Sequence, residues 1–252
     1  MRKFNRISID AVSLKIAYHY SLEMKNLDWE INSRDLENGL KVYLEEKVNH
    51  LDEHSLFSSF IYSILSAAEN YKKLKKLEAQ LKEIGITPPK NVGEIEIVAG
   101  KLESVVKKSR FPNRKIRRIR KFLRWWCNSN LPFEILKDSK TKRERGEELR
   151  ELLVKECPGI GYKTASLLLV KLGYLNLVPI DVWSMRFLKA NGHSVKLPDY
   201  KKVSGPKGKE YLRLEEILRE NASKYSVPPA IFQFALWSKY SSWRETKGSK
   251  KV

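Results

Sequence analysis

The run Cys157-Pro158-Gly159-Ile160-Gly161-Tyr162-Lys163 constrains this chain more than any other feature. An apolar stretch follows it to Gly173, and then comes Val178-Pro179-Ile180-Asp181. Periodicity reads Glu147 to Lys155 as a helix entering the run and Tyr162 to Leu172 as a helix leaving it. The chain must therefore reverse across a few residues. Gly159 and Gly161 supply the positive φ such a turn asks for, and room for a phosphate oxygen to approach the backbone. Tyr162 and Lys163 fall in the first turn of the second helix, where free N–H groups and the dipole favour an anion. The same pattern also suits an ordinary helix corner with glycine caps.

Lys163 and Asp181 stand 18 residues apart, one on each side of the second helix. Beside helix N–H groups and other cations an ammonium is disfavoured, and burial lowers its pKa further. A partly neutral amine is a usable nucleophile; the plainer reading is a lysine that contacts phosphate. Asp181 follows Val178-Pro179-Ile180 and precedes an amphipathic segment, so it reads as an N-cap. A cap fixes the carboxylate's rotamer, which leaves it able to stabilise a nearby developing cation.

Helical periodicity dominates the remainder. Segments 33–48, 56–70, 74–84, 91–107, 113–126, 181–190, 209–224 and 228–243 all read as helices, and strand signals are few. Residues 7–14 fit either a strand or a helix. The fold class expected is all-α.

Lysine and arginine total 49 against 30 acids, a net charge of +19. Such an imbalance favours a polyanion, although a lysine-rich solvated surface would carry it too. The stretch from Lys101 to Arg124 holds eleven Lys/Arg and one Glu. Arg114, Lys115 and Arg118 are the residues there expected to meet a nucleic-acid backbone, together with Gly159, Gly161 and Tyr162 of the hairpin. Two cysteines, Cys127 and Cys157, build neither a disulfide framework nor a four-cysteine iron–sulfur site. The four histidines show no zinc-ligand arrangement, so no metal site is expected. No apolar stretch suggests a secretory signal or membrane span, and an intracellular protein (cytoplasm or nucleoid) is expected. The aromatics near the end read first as core; Phe234 and Trp237 are the candidates for stacking on an extruded base.

The stretch Pro158-Gly159-Ile160-Gly161-Tyr162-Lys163-Thr164-Ala165-Ser166 through Pro179-Ile180-Asp181-Val182 resembles the helix-hairpin-helix superfamily of DNA glycosylases. Leu56 to Ala68 and Ser109-Arg110-Phe111-Pro112-Asn113-Arg114-Lys115 are similar to further segments of it. A lysine at position 163 implies a bifunctional glycosylase/lyase, and Gly159-Ile160-Gly161-Tyr162-Lys163 with a short C-terminal domain looks most like the 8-oxoguanine DNA glycosylase/AP lyases of archaea and some bacteria. The resemblance implies a two-lobed fold: residues 56–176 as a helical barrel carrying the hairpin, residues 1–55 with 177–252 as a second lobe. It implies Lys163 and Asp181 as the catalytic pair in excision of an oxidised base, most naturally 8-oxoguanine, by Schiff-base formation and β-elimination. Damaged double-stranded DNA is the implied partner of a monomer. No organic cofactor or iron–sulfur cluster is implied, and a monovalent cation at the hairpin is compatible. A glycosylase for oxidised pyrimidine or uracil, or a non-catalytic DNA-binding module, are the alternatives. The chain ends Lys250-Lys251-Val252 rather than in the base-reading lysine of compact relatives, so base recognition does not carry over residue by residue.

Overall fold

The computed structural model describes residues 29–67, 69, 71–141, 144–197 and 205–248, with side chains through residue 241. Contacts divide the chain into Met1–Ile31 and Asn32–Val252; the account below concerns the second unit. The ambiguous segment 7–14 lies outside the described residues.

Among the described residues the chain forms eleven α-helices and no strand. These are α1 (Ser33–Glu46), α2 (Glu53–Ser66), α3 (Tyr71–Glu83), α4 (Ile95–Val106), α5 (Pro112–Asn128), α6 (Leu131–Lys140), α7 (Gly146–Glu156), α8 (Tyr162–Lys171), α9 (Val182–Ala190), α10 (Gly208–Lys224) and α11 (Pro229–Gly248). Their starts follow local chemistry. Asn32 and Asp35 form a capping box on α1, Asp52 and Ser55 another on α2, and Asp181 caps α9. Helix α6 is the one the periodicity reading missed. Its ten residues are short, and Pro132 near its start reads as a break when it is in fact tolerated in the first turn.

Helix α2 is buried on all sides because α3, α5, α6 and α8 surround it. Phe57 and Phe60 pack on Phe122, Trp125 and Trp126 of α5, with ring centroids 5.0 to 5.7 Å apart. Burying each such phenylalanine stabilises the fold by about 1.5–3 kcal/mol. This cluster sits under the hairpin, since α8 rests on α2 and α7 on α8. Helix α11 lies against α1, α9 and α10. It crosses α1 so closely that a Cβ on Gly39 would come within 2.6 Å of the Ala235 backbone nitrogen. Both members of the Lys163–Asp181 pair are thus mounted on helices packed on two or more neighbours.

Candidate active site

The hairpin occupies the turn between α7 and α8. Ile160 N–H donates to Cys157 O at 3.2 Å and closes it. Gly159 is required twice over: its φ is +86°, and a Cβ would lie 2.9 Å from Cγ of Arg118. Gly161 corrects the expectation of positive φ at both glycines. Its φ is −113° and ψ 176°, and a Cβ there would meet nothing within 4 Å. Gly161 is the N-cap of α8, exposed, and no side chain caps the helix. The first N–H groups of α8 are left open to an anion. Tyr162 braces the turn: its hydroxyl donates to Glu151 of α7 at 2.7 Å and its ring lies 5.0 Å from that of Tyr211.

Lys163 and Asp181 are both half-buried. Lys163 makes no hydrogen bond or ion pair among the described residues, yet the two groups act on each other through their charges. Burial pushes the Lys163 ammonium below the ordinary lysine range, and the Asp181 carboxylate opposes that shift. Burial pushes the Asp181 carboxyl up, against the opposing effects of Lys163 and of hydrogen bonds from Ser184 and Trp183. Those bonds converge on one oxygen: Oδ1 accepts from Trp183 N at 2.8 Å, Ser184 N at 2.9 Å and Ser184 Oγ at 3.1 Å. Oδ2 receives none among the described residues. The carboxylate is thus fixed through one oxygen. Cys157, three residues before the hairpin's second glycine's neighbour Ile160, is buried with its thiol pushed up, so it is not a reactive group.

The basic helix divides into two kinds of cation. Arg114, Arg117 and Lys121 are exposed, Arg118 is half-buried, and none of the four has a carboxylate partner among the described residues. The stem of Arg118 lies against Gly159, which places this cation beside the hairpin. Lys115 corrects the sequence expectation. It is 2% exposed, donates to Leu65 O at 2.7 Å and pairs with Glu69 at 3.0 Å. It ties the start of α5 to the C-terminal end of α2, and it is no surface contact.

The two aromatic candidates also separate. Phe234 is buried in the core, 6.1 Å from the Tyr43 ring, and is unavailable to a base. Trp237 is half-exposed, edge-on to Tyr71 at 4.6 Å. One turn before it, Gln233 is 4% exposed and its Oε1 is buried without a hydrogen-bond partner. A lone glutamine in an apolar helix gave no signal in sequence. Tyr240, on the same side of α11, stacks on Trp183 of the turn that Asp181 caps, at 6.2 Å. Phe111 was also overlooked. It is 45% exposed at φ +55° at the head of α5, with the Arg110 and Arg114 guanidiniums 5.6 and 6.0 Å from its ring. A left-handed, exposed aromatic among cations makes Phe111 a candidate for the site. A cavity of about 370 Å³ bordered by His50, His54, Glu46 and Lys171 includes neither Lys163 nor Asp181 in its lining. No group of three potential metal ligands occurs among the described residues.

An all-α chain in which an open hairpin carries a half-buried lysine near a helix-capping aspartate has the architecture of the helix-hairpin-helix DNA glycosylases. The chain belongs to the family described as 8-oxoguanine DNA glycosylase, which matches it over residues 40–227. It is 36% identical over 88 residues to an 8-oxoguanine DNA glycosylase/AP lyase of Thermotoga maritima, a match covering 35% of this chain and 40% of the relative's length. A Metallosphaera sedula protein of the same name is 32% identical over 146 residues, covering 58% of this chain and 64% of that one. In three dimensions it is similar to the 8-oxoguanine DNA glycosylase of Thermotoga maritima, with a TM-score of 0.57, 24% identity and coverage of 90% and 93% of the two chains. The Methanocaldococcus jannaschii 8-oxoguanine glycosylase/lyase, solved with a 15mer DNA containing 8-oxoguanine, gives a TM-score of 0.59 at 23% identity, covering 83% and 89%.

Proposed function

We propose that this protein excises an oxidised base, 8-oxoguanine in the first instance, from double-stranded DNA and then cleaves the strand at the resulting site. The observation that carries this reading is the Lys163–Asp181 arrangement: an unpaired, half-buried amine with a lowered pKa, near a carboxylate fixed through one oxygen only. The relatives' names supply the lesion and the lyase activity.

The steps follow from these groups. Neutral Lys163 attacks C1′ of the damaged nucleotide as the C1′–N bond breaks, and the base leaves with the electron pair and takes up a proton. Asp181 Oδ2 stabilises the positive charge that grows on the sugar. Ring opening gives an imine between Lys163 and C1′. Loss of a C2′ proton then expels the 3′ phosphate oxygen, and water releases the lysine.

DNA contact would use the open N-terminus of α8 and the unpaired Arg114, Arg117, Arg118 and Lys121. Among the described groups nothing donates to the carbonyls of Pro158, Gly159 and Ile160. They would suit a monovalent cation, which would lessen repulsion at the bound phosphate. Phe111 would fill the gap an extruded nucleotide leaves in the stack, as apolar wedges do. The half-exposed face of Trp237 would stack on the extruded base, and the Gln233 amide would hydrogen-bond its edge.

The test is borohydride trapping on a duplex carrying one 8-oxoguanine opposite cytosine, with wild type and Lys163→Gln. A covalent adduct with wild type alone supports both the mechanism and the nucleophile. An adduct only on thymine glycol or an abasic site would overturn the lesion and retain the lyase. Intact DNA binding with no adduct on any lesion would overturn the enzymatic reading.

A further inference from the structure

Lys163 and Asp181 belong to separate segments, α8 and the turn before α9, and no direct bond joins them. Something else must hold their spacing. Tyr211 of α10 is 1% exposed, and its hydroxyl touches both segments at once. It donates to Val178 O at 2.5 Å and accepts from Ile180 N at 3.2 Å, the residue immediately before Asp181. It also lies 3.1 Å from Oγ of Ser166, which is three residues after Lys163 and so one turn along the same side of α8. Glu215, one turn further along α10, accepts Val178 N at 2.9 Å. Glu215 is itself held by Arg150 of α7, through Nη1 at 2.6 Å to each carboxylate oxygen.

These two residues of α10 do different things. The Arg150–Glu215 pair joins the helix leading into the hairpin to the segment leading out of α8, and it is a buried ion pair. Among the described residues the Tyr211 hydroxyl is the group that bonds both to the Lys163 helix and to the backbone that delivers Asp181. It is also the smaller group to remove, since Phe keeps the ring and its packing on Tyr162. We propose that Tyr211 is a positioning residue that fixes the distance between Lys163 and Asp181, an inference that rests on the assignment of those two as the reacting pair.

Tyr211→Phe tests this against Leu218→Ala, a change two turns further along α10 that removes buried side chain but no hydrogen bond to either segment. Single-turnover excision of 8-oxoguanine, DNA affinity at fixed salt, thermal unfolding and the pH dependence of excision are measured for each. Tyr211→Phe is expected to excise roughly 10- to 100-fold more slowly at the plateau of the pH profile, with unchanged affinity. Its rising limb should move to lower pH, because a displaced Asp181 supports the Lys163 charge less. Leu218→Ala should lose thermal stability but keep both the rate and the limb. A wild-type rate in Tyr211→Phe, a slowed rate with an unmoved limb, or the same limb shift in Leu218→Ala would each overturn the proposal. Should Tyr211→Phe not fold, Ser166→Ala removes the α8 side of the linkage alone. It is expected to shift the limb in the same direction by less, and wild-type behaviour there would overturn the proposal too. If wild type forms no adduct with any damaged duplex, the functional assignment itself has failed and the proposal falls with it.

Discussion

Lys163 and Asp181 act on each other's charge without forming an ion pair. Asp181 meanwhile spends one carboxylate oxygen on capping α9. The two duties of Asp181 are separable. Asparagine caps a helix about as well as aspartate, whereas alanine forfeits about 1 kcal/mol. Asp181→Asn should therefore unfold at nearly the wild-type temperature and still lose excision by roughly 10²–10³-fold, the cost typical of removing one group that meets developing charge. Asp181→Ala should lose both. Calorimetry beside single-turnover rates checks this; equal unfolding losses in the two variants would deny the capping role.

The same pair fixes the pH response. Burial lowers the Lys163 pKa, and in the proposed mechanism the neutral amine is the reactive form, so excision should rise with pH along a limb below the ordinary lysine range. Asp181 opposes the lowering. Removing its charge in Asp181→Asn must move the limb further to lower pH while the plateau falls. A limb that moves upward would mean that Asp181 does not face Lys163.

Much of this was legible in the sequence, and the reasons differ by residue. Capping and periodicity are local, so the helices carrying Lys163 and Asp181, and the Asp181 cap itself, could be read with ends correct to a residue or two. Burial is not local. Lys115 sits in a run of cations indistinguishable by type, and its partners Leu65 and Glu69, 50 and 46 residues away, mark it as a core residue. Phe234 and Trp237 are alike in composition, and their fates are decided by Tyr43 and Tyr71 on other helices. Gln233 and the left-handed backbone of Phe111 leave no trace in a pattern of polar and apolar letters.

The two hairpin glycines should respond oppositely to alanine. At Gly159 the positive φ and the Arg118 stem at 2.9 Å both oppose a Cβ, so Gly159→Ala should cost stability and displace Arg118. At Gly161 a methyl meets nothing, and the change should cost less than about 1 kcal/mol as an N-cap. It would nonetheless stand over the open N–H groups of α8 and weaken binding to any duplex, damaged or not. Unfolding curves with binding isotherms separate the two; normal affinity in Gly161→Ala would remove the hairpin backbone from the DNA contact.

Arg114 and Lys115 are neighbours that predict opposite phenotypes. Arg114 is exposed without an acidic partner, so Arg114→Ala should leave stability within about 0.5 kcal/mol. It should also flatten the dependence of log affinity on log salt by about 1. Lys115→Ala would leave the Glu69 carboxylate, itself fully buried, without its nearest cation, a loss of about 3–5 kcal/mol. Among molecules still folded, the salt slope should be that of wild type.

The buried Gln233 amide allows recognition to be tested apart from stability. Its buried, unpartnered Oε1 is an uncompensated polar group, which ordinarily costs about 1–3 kcal/mol. Leucine, close in size and without polar atoms, removes that cost, so Gln233→Leu should raise the unfolding temperature. If the amide is kept because an extruded base satisfies it, the same variant should bind undamaged duplex normally and lose its preference for 8-oxoguanine over guanine. Trp237→Ala should instead slow excision of every base it accepts, since stacking does not distinguish their edges. A Gln233→Leu protein that is more stable and equally selective would show that the buried amide is only a packing residue, and the base-reading group would have to be sought elsewhere.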